Sequence, residues 1–244
     1  MSALGATLYL LPMPLGLPDE GGEMAAALPA TALARARDLR HFVVENAKTA
    51  RVFLKQMEFP CSLRELVLNE LNEHTPASAL PGLLSPLDAG WDLGLMSEAG
   101  CPAVADPGSA LVALARRRGF RVTPLVGPSS ILLALMASGL EGQRFAFLGY
   151  LPAKPAERAL AIRALETESA KKRQTQIFIE TPYRNLALFE SLLRHAAPSS
   201  RLCVATALTL PEECVETRAI EDWRRMPPPE FARRPSVFLL AAEV

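Results

Sequence analysis

Three short loops hold the residues whose types and spacing could do chemistry. They are Pro12-Met13-Pro14-Leu15-Gly16, Ser97-Glu98-Ala99-Gly100-Cys101-Pro102 through Asp106-Pro107-Gly108, and Val126-Gly127-Pro128-Ser129-Ser130. Each follows an apolar run of strand length. In any one of them Pro and Gly simply terminate a strand. Three in one sheet point to a small-molecule site, because ligands of open α/β sheets bind outside the carboxyl ends of the strands. Glu45 ends the strand-like run His41-Phe42-Val43-Val44, Ser129 and Ser130 can cap a following helix, and Asp106 reads as a helix N-cap before Pro107. No Gly-x-Gly-x-x-Gly or Gly-x4-Gly-Lys-Ser/Thr sequence occurs, so neither a dinucleotide site nor a P-loop is supported, and the absence of Gly-x-Ser-x-Gly and His-Glu-x-x-His weakens hydrolase and zinc-protease readings.

The elements that must position these loops come from α/β alternation. Strand-like runs are Thr7–Leu11, His41–Glu45, Trp91–Met96 and Arg121–Val126, separated by helical patterns over Glu23–Arg40, Lys48–Met57 and Ser109–Arg118. A short helix from Ser130 to Ala137, ended by Gly139, follows. The second half differs: strand-like Phe145–Leu148, Gln176–Glu180, Arg201–Thr206, Cys214–Ile220 and Ser236–Ala241 are separated by only two clear helices, Ala156–Ser169 and Asn185–His195. Fewer helices per strand predicts a mixed sheet there and a mostly parallel one before it. The boundary is placed at 122/123, giving an N-terminal α/β domain over 1–122 and a C-terminal one over 123–244.

The chain has 244 residues, 26 basic and 26 acidic, with 50% hydrophobic residues, enough apolar material for packed cores. Zero net charge argues against a nonspecific polyanion binder, although basic runs such as Arg116-Arg117-Arg118 and Lys171-Lys172-Arg173 remain. Four dispersed cysteines and three isolated histidines predict neither a disulfide scaffold nor a metal site. No signal peptide pattern or membrane-length apolar stretch is present, so a cytoplasmic protein is expected.

The segment Gly5-Ala6-Thr7-Leu8-Tyr9-Leu10-Leu11-Pro12-Met13-Pro14-Leu15-Gly16 resembles the opening of the tetrapyrrole (corrin/porphyrin) methylase superfamily. So do Ser97 to Gly108 and Gly127-Pro128-Ser129-Ser130-Ile131, in matching order and spacing. Phe147-Leu148-Gly149-Tyr150-Leu151-Pro152 and Ile179-Glu180-Thr181-Pro182-Tyr183-Arg184 are similar to the bacterial ribosomal RNA small subunit methyltransferase I branch. The resemblance runs from about Thr7 to Thr209. It implies an S-adenosylmethionine-dependent methyltransferase of two α/β domains with the cofactor cleft between them, usually a homodimer. On this sequence the cofactor contacts would fall at Pro14, Leu15, Glu98, Ala99, Gly100, Cys101, Val104, Ser130, Ile131, Ala205, Thr206 and Ala207. The implied reaction is 2′-O-methylation of a cytidine in small-subunit ribosomal RNA, with that RNA or the subunit as partner.

Methyl transfer from a sulfonium mainly requires donor and acceptor to be held in line, so no catalytic triad need be visible. A hydroxyl acceptor benefits from a base. Glu45 is the candidate, with an exposed strand-end carboxylate as an equal alternative. Tyr183 and Arg184 read equally as an RNA-stacking pair and as packing at a helix start. Lys154 and His74 read as surface residues.

The sequence departs from the branch where its charged acceptor-side motifs should be. Glu45-Asn46-Ala47-Lys48 stands for Glu-Asp-Thr-Arg, and Ala207-Leu208-Thr209-Leu210 for Glu-Leu-Thr-Lys. Glu98 replaces Asp, and Gly16-Leu17 replaces Gly-Asn. The cofactor pattern survives better than the acceptor pattern. That leaves two alternatives beside the ribosomal one: methylation of a tetrapyrrole or other small acceptor, and a noncatalytic cofactor-binding relative.

Overall fold

In the computed structural model, which describes residues 5–16, 24–231 and 234–243, the chain divides into two compact units, Met1–Ser129 and Ser130–Val244. The first contains β1 (Thr7–Leu11), α1 (Met24–Ala27), α2 (Ala30–Asp38), β2 (His41–Val44), α3 (Ala47–Gln56), β3 (Val67–Glu70), α4 (Leu80–Leu83), α5 (Ser85–Asp88), β4 (Leu93–Met96), α6 (Ser109–Arg117) and β5 (Arg121–Pro124). Glu23 and Leu17 lie outside the described residues.

Its five strands run in the order β3-β2-β4-β1-β5, and every pairing is parallel. Successive side chains of a strand point to opposite faces. Phe42 and Val44 therefore join Leu11, Leu33, Phe53 and Met57 in one core, while Val43 joins Leu8, Leu95, Leu111 and Ala115 in the other. Helices thus cover both faces, which explains why β4 is buried throughout. Pro29 divides the helical stretch into α1 and α2, since proline disfavours the helical conformation in the residue before it. The edge strand β3, absent from the sequence reading, is short and largely half-exposed, so it lacks the apolar run that marks its neighbours.

The second unit contains α7 (Ser130–Ser138), β6 (Phe145–Tyr150), α8 (Pro155–Lys172), β7 (Thr175–Glu180), α9 (Asn185–His195), β8 (Arg201–Thr206), β9 (Cys214–Ala219), α10 (Ile220–Trp223) and β10 (Ser236–Ala241). Its sheet order is β6-β7-β10-β8-β9. β6 and β7 are parallel, joined by the α8 crossover, whereas β10 is antiparallel to both β7 and β8. This is the mixed sheet expected. Its core is aromatic: Phe178 stacks on Phe238, Phe189 meets Trp223 edge-on, and the Trp223 indole N–H donates to the Leu202 carbonyl at 2.9 Å. Among the described residues no helix is long and apolar enough to cross a membrane.

Candidate functional site

In the first unit, the parallel sheet brings the loops after β1, β2, β4 and β5 to one end. The first and third are tied directly: Met13 N–H donates to the Gly100 carbonyl at 2.8 Å and Gly100 N–H donates to the Met13 carbonyl at 3.0 Å. The Cys101 thiol reaches the Pro128 carbonyl at 3.4 Å, attaching the loop after β5. Gly127 is required by this closeness, because a Cβ there would sit 2.4 Å from Pro12 Cβ and 2.7 Å from Leu28 Cδ2. Pro14 is buried and Leu15 half-buried beside Gly100, Cys101 is half-buried, and Glu98, Ala99 and Val104 are exposed.

Glu45 and Glu98 meet at this end. The Glu45 Oε2 accepts from Glu98 N–H at 3.3 Å, and Thr49 Oγ1 donates to Glu98 Oε1 at 2.9 Å. Thr49 stands in α3, whose start is fixed by Asn46: its Oδ1 accepts from the N–H groups of Lys48 at 2.9 Å and Thr49 at 3.3 Å. Asn46 therefore keeps the capping role available to the aspartate of the related motif.

Asp106 corrects the sequence reading. It does not cap α6, which begins at Ser109 after Gly108. Ala103 and Ala105 adopt positive φ, as does Gly108 at 129°, and these turns carry the loop past the position a cap requires. Asp106 instead joins the electrostatic field of Glu45 and Glu98. Burial first, then those two carboxylates, push its pKa up to about 7. Burial likewise raises Glu45, opposed by its bond from Glu98 N–H and reinforced by the Glu98 and Glu73 charges. The Cys101 thiol is also pushed up, by burial and then by Asp106. Among the described residues no lysine or arginine forms an ion pair with any of the three carboxylates, and no group of histidine, cysteine and acidic side chains is arranged to hold a metal ion. An acidic cluster without its own cation favours a cationic ligand.

In the second unit, Ala205, Thr206 and Ala207 are buried at the carboxyl end of β8. The Thr175 hydroxyl, at the start of β7, donates to the Glu141 carbonyl just beyond α7 at 2.8 Å. The helix therefore ends near the amino end of β7, and Ser130 and Ile131 at its start are both half-buried. Ala207 has φ 50° and its N–H donates to the Pro235 carbonyl at 3.0 Å, so this turn is held by backbone where the related motif has a glutamate.

Lys154 is exposed and paired with Glu157 at 3.1 Å, and His74 is exposed beside Glu73. Sequence reasoning missed Asp106 as a site carboxylate, and it missed Thr49 altogether. A threonine one turn beyond a capped helix start was the available signal for the latter.

No family model matches the chain. It is 35% identical over 203 residues, 83% of its length and 65% of the relative's, to ribosomal RNA small subunit methyltransferase I of Escherichia coli. To the protein of that name from Mycobacterium bovis it is 31% identical over 219 residues, covering 90% of this chain and 70% of the relative. The matched part of the chain spans 51% to 70% of the length of curated relatives of that name. Among solved structures it is similar to the methyltransferase CobJ, with TM-score 0.63, 19% identity, and 98% and 95% of the two chains covered. Uroporphyrin-III-C-methyltransferase from Thermus thermophilus shares the fold at TM-score 0.53 and 18% identity, covering 97% of this chain and 92% of that one.

Proposed function

The chain belongs to the ribosomal RNA small subunit methyltransferase I family, within the tetrapyrrole methylase superfamily, and we propose that it transfers a methyl group from S-adenosylmethionine to a 2′-hydroxyl of small-subunit ribosomal RNA in the cytoplasm. The observation that carries the cofactor assignment is the trio Glu45, Glu98 and Asp106, with which no lysine or arginine among the described residues pairs and in which Glu45 and Asp106 are pushed toward the neutral form. Adenosylmethionine brings an electrophilic methyl on a positively charged sulfur, with an ammonium group besides. A cation of that kind relieves the repulsion among the three carboxylates, so the residues present fit the group.

Pro14, Leu15 and Glu98–Cys101 with Val104 are the contacts we assign to the first unit; Ser130, Ile131 and Ala205–Ala207 are those of the second. The tied Met13–Gly100 backbone holds the first set rigid before binding, which limits the ordering entropy lost on association. Glu45, half-buried and raised in pKa, is the base we assign to the acceptor hydroxyl; its carboxylate takes the proton as oxygen gains the methyl group. The apolar Leu132 and Met136, exposed one turn apart on α7, are the surface we assign to pairing with a second copy.

Calorimetry with adenosylmethionine tests the premise, and no heat at millimolar cofactor would refute it. Ser130→Trp should abolish binding while the circular dichroism and melting curve stay those of the native protein; unchanged affinity would remove the second unit's contacts from the assignment. A tritiated-methyl assay then compares assembled small subunits, free small-subunit RNA and a tetrapyrrole. The last is included because Ala207 and Leu210 replace the charged residues of the related motif, which favours a different acceptor as the second reading.

A further inference from the structure

The acceptor side offers one feature that the cofactor reading leaves unused. Tyr183 is 74% exposed, so its ring is not the helix-start packing residue that its sequence position allows. It stands in a single 3-10 turn, Pro182–Arg184, between the end of β7 and the start of α9. Both flanks of that turn are anchored by buried polar side chains.

On one side, the Glu180 side chain is completely buried. Its Oε1 accepts from Thr181 N–H at 2.7 Å, Thr181 Oγ1 at 3.2 Å, Arg184 Nε at 3.0 Å and Arg184 Nη2 at 2.8 Å. Arg184 Nε also lies 3.0 Å from Thr181 Oγ1. On the other side, fully buried Asn185 donates from Nδ2 to the Arg234 carbonyl at 2.9 Å and to Ser236 Oγ at 3.0 Å. Glu180 Oε2 and Asn185 Oδ1 are buried without partners, a cost in stability that native proteins usually avoid. These anchors hold the turn that carries the ring, and Arg184 Cζ lies 5.5 Å from the Tyr183 centroid.

We propose that Tyr183, backed by Arg184, is a stacking platform for an unpaired base of the acceptor RNA, and that Glu180 is the positioning residue that fixes it. Unpaired bases are recognised by stacking on aromatic rings and guanidinium planes, and a ring fixed in advance loses little entropy on binding. The register supports the location. Ser236 pairs with Glu180 on one side and with Thr206 on the other. Because β7 and β8 point the same way, Tyr183 follows a strand end only about 10 Å, two strand spacings, from Thr206.

The inference rests on the RNA reading, so binding and methylation are measured separately. Filter binding of free small-subunit RNA, without methyl donor, should weaken about tenfold or more in Tyr183→Ala, while Tyr183→Phe binds like the native protein. Adenosylmethionine affinity and melting temperature should not change in either. Where subunits are methylated, Tyr183→Ala should raise KM for RNA far more than it lowers kcat. Glu180→Gln should give a smaller loss of RNA affinity, several-fold, at a melting temperature close to native. Native RNA affinity in Tyr183→Ala overturns the platform, and so does a loss of adenosylmethionine affinity in that variant or an absence of RNA binding by the native protein. RNA binding that depends on Tyr183, without any subunit methylation, would leave the platform standing and remove the methylation reading instead.

Discussion

The carboxyl ends of the two sheets are built by opposite means. In the first unit the loop after β4 is shaped by backbone, with Gly100, Ala103, Ala105 and Gly108 all at positive φ. Its three carboxylates find no cation among the described residues. In the second unit Ala207 and Thr209 also take positive φ, yet the buried acid Glu180 is answered by Arg184 inside the same turn. One end leaves its acids without a basic partner among the described residues; the other pairs its buried acid within the same turn and exposes an aromatic ring. A donor that is a cation and an acceptor that offers bases would call for this difference.

The largest effect should come from breaking the backbone contacts of the first end. Gly127→Val places its Cβ against Pro12 and Leu28, overpacking that costs about 3 kcal/mol, or a fall in Tm of roughly 6–12 °C for a chain of this size. Adenosylmethionine affinity should fall with it by more than about tenfold, the equivalent of ~1.4 kcal/mol. In the second unit, Gly142→Ala meets no atom within 4 Å and should leave both quantities unchanged. Thermal unfolding followed by calorimetric titration checks both. A Gly127→Val protein that binds normally would mean that the loop closure is not what shapes the cofactor site.

The next effect is electrostatic and has a distinctive sign. Asp106 holds its proton in the folded state up to about pH 7, against 3.8 for the ordinary carboxyl. The stability contributed by that proton is fully present below the unfolded pKa and is lost as pH rises through about 7. Asp106→Asn keeps the site neutral, so the variant should melt higher than the native protein at about pH 8 and lose the advantage toward about pH 4. Its cofactor affinity should move the other way, weakening by about tenfold at about pH 8, where the native carboxylate is ionised and attracts a cation. Parallel changes in stability and affinity, rather than opposite ones, would show that the acidic cluster is structural.

Much of this architecture could be read from the chain. Apolar runs of four to six residues gave the principal strands, including Arg201–Thr206 and Ser236–Ala241 at their observed limits. The loops were legible because proline and glycine mark turns chemically. Asp106 was not, because nothing about alanine announces that Ala103 and Ala105 will turn through positive φ, and without those turns the carboxylate reads as a helix cap and not as a neighbour of Glu45 and Glu98. The meeting of Glu45 with Glu98 needs the interleaved order β2-β4-β1, a property of topology and not of local sequence. Tyr183 was visible as a residue, but whether it packs or protrudes depends on what its neighbours bury.

The smallest expected effect sharpens the comparison most, since it separates the fold of the acidic end from its chemistry. Asn46→Ala removes the acceptor of the Lys48 and Thr49 N–H groups, a cap worth about 1 kcal/mol, and should lower Tm by roughly 2–4 °C. Asn46→Asp restores the related family's residue and keeps the cap. Its new charge is favoured by the start of α3, by about 0.3–1 kcal/mol, and opposed by Glu45 and Glu98 nearby. Because Asn46 is exposed, screening weakens the repulsion, and the two effects should offset to within about 0.5 kcal/mol. Cofactor affinity should then change by less than about threefold, under ~0.7 kcal/mol. If Asn46→Asp instead alters adenosylmethionine binding as strongly as Asp106→Asn does, charge count would matter at this end and burial would not. The half-buried Asp106 would then lose its special place among the three carboxylates.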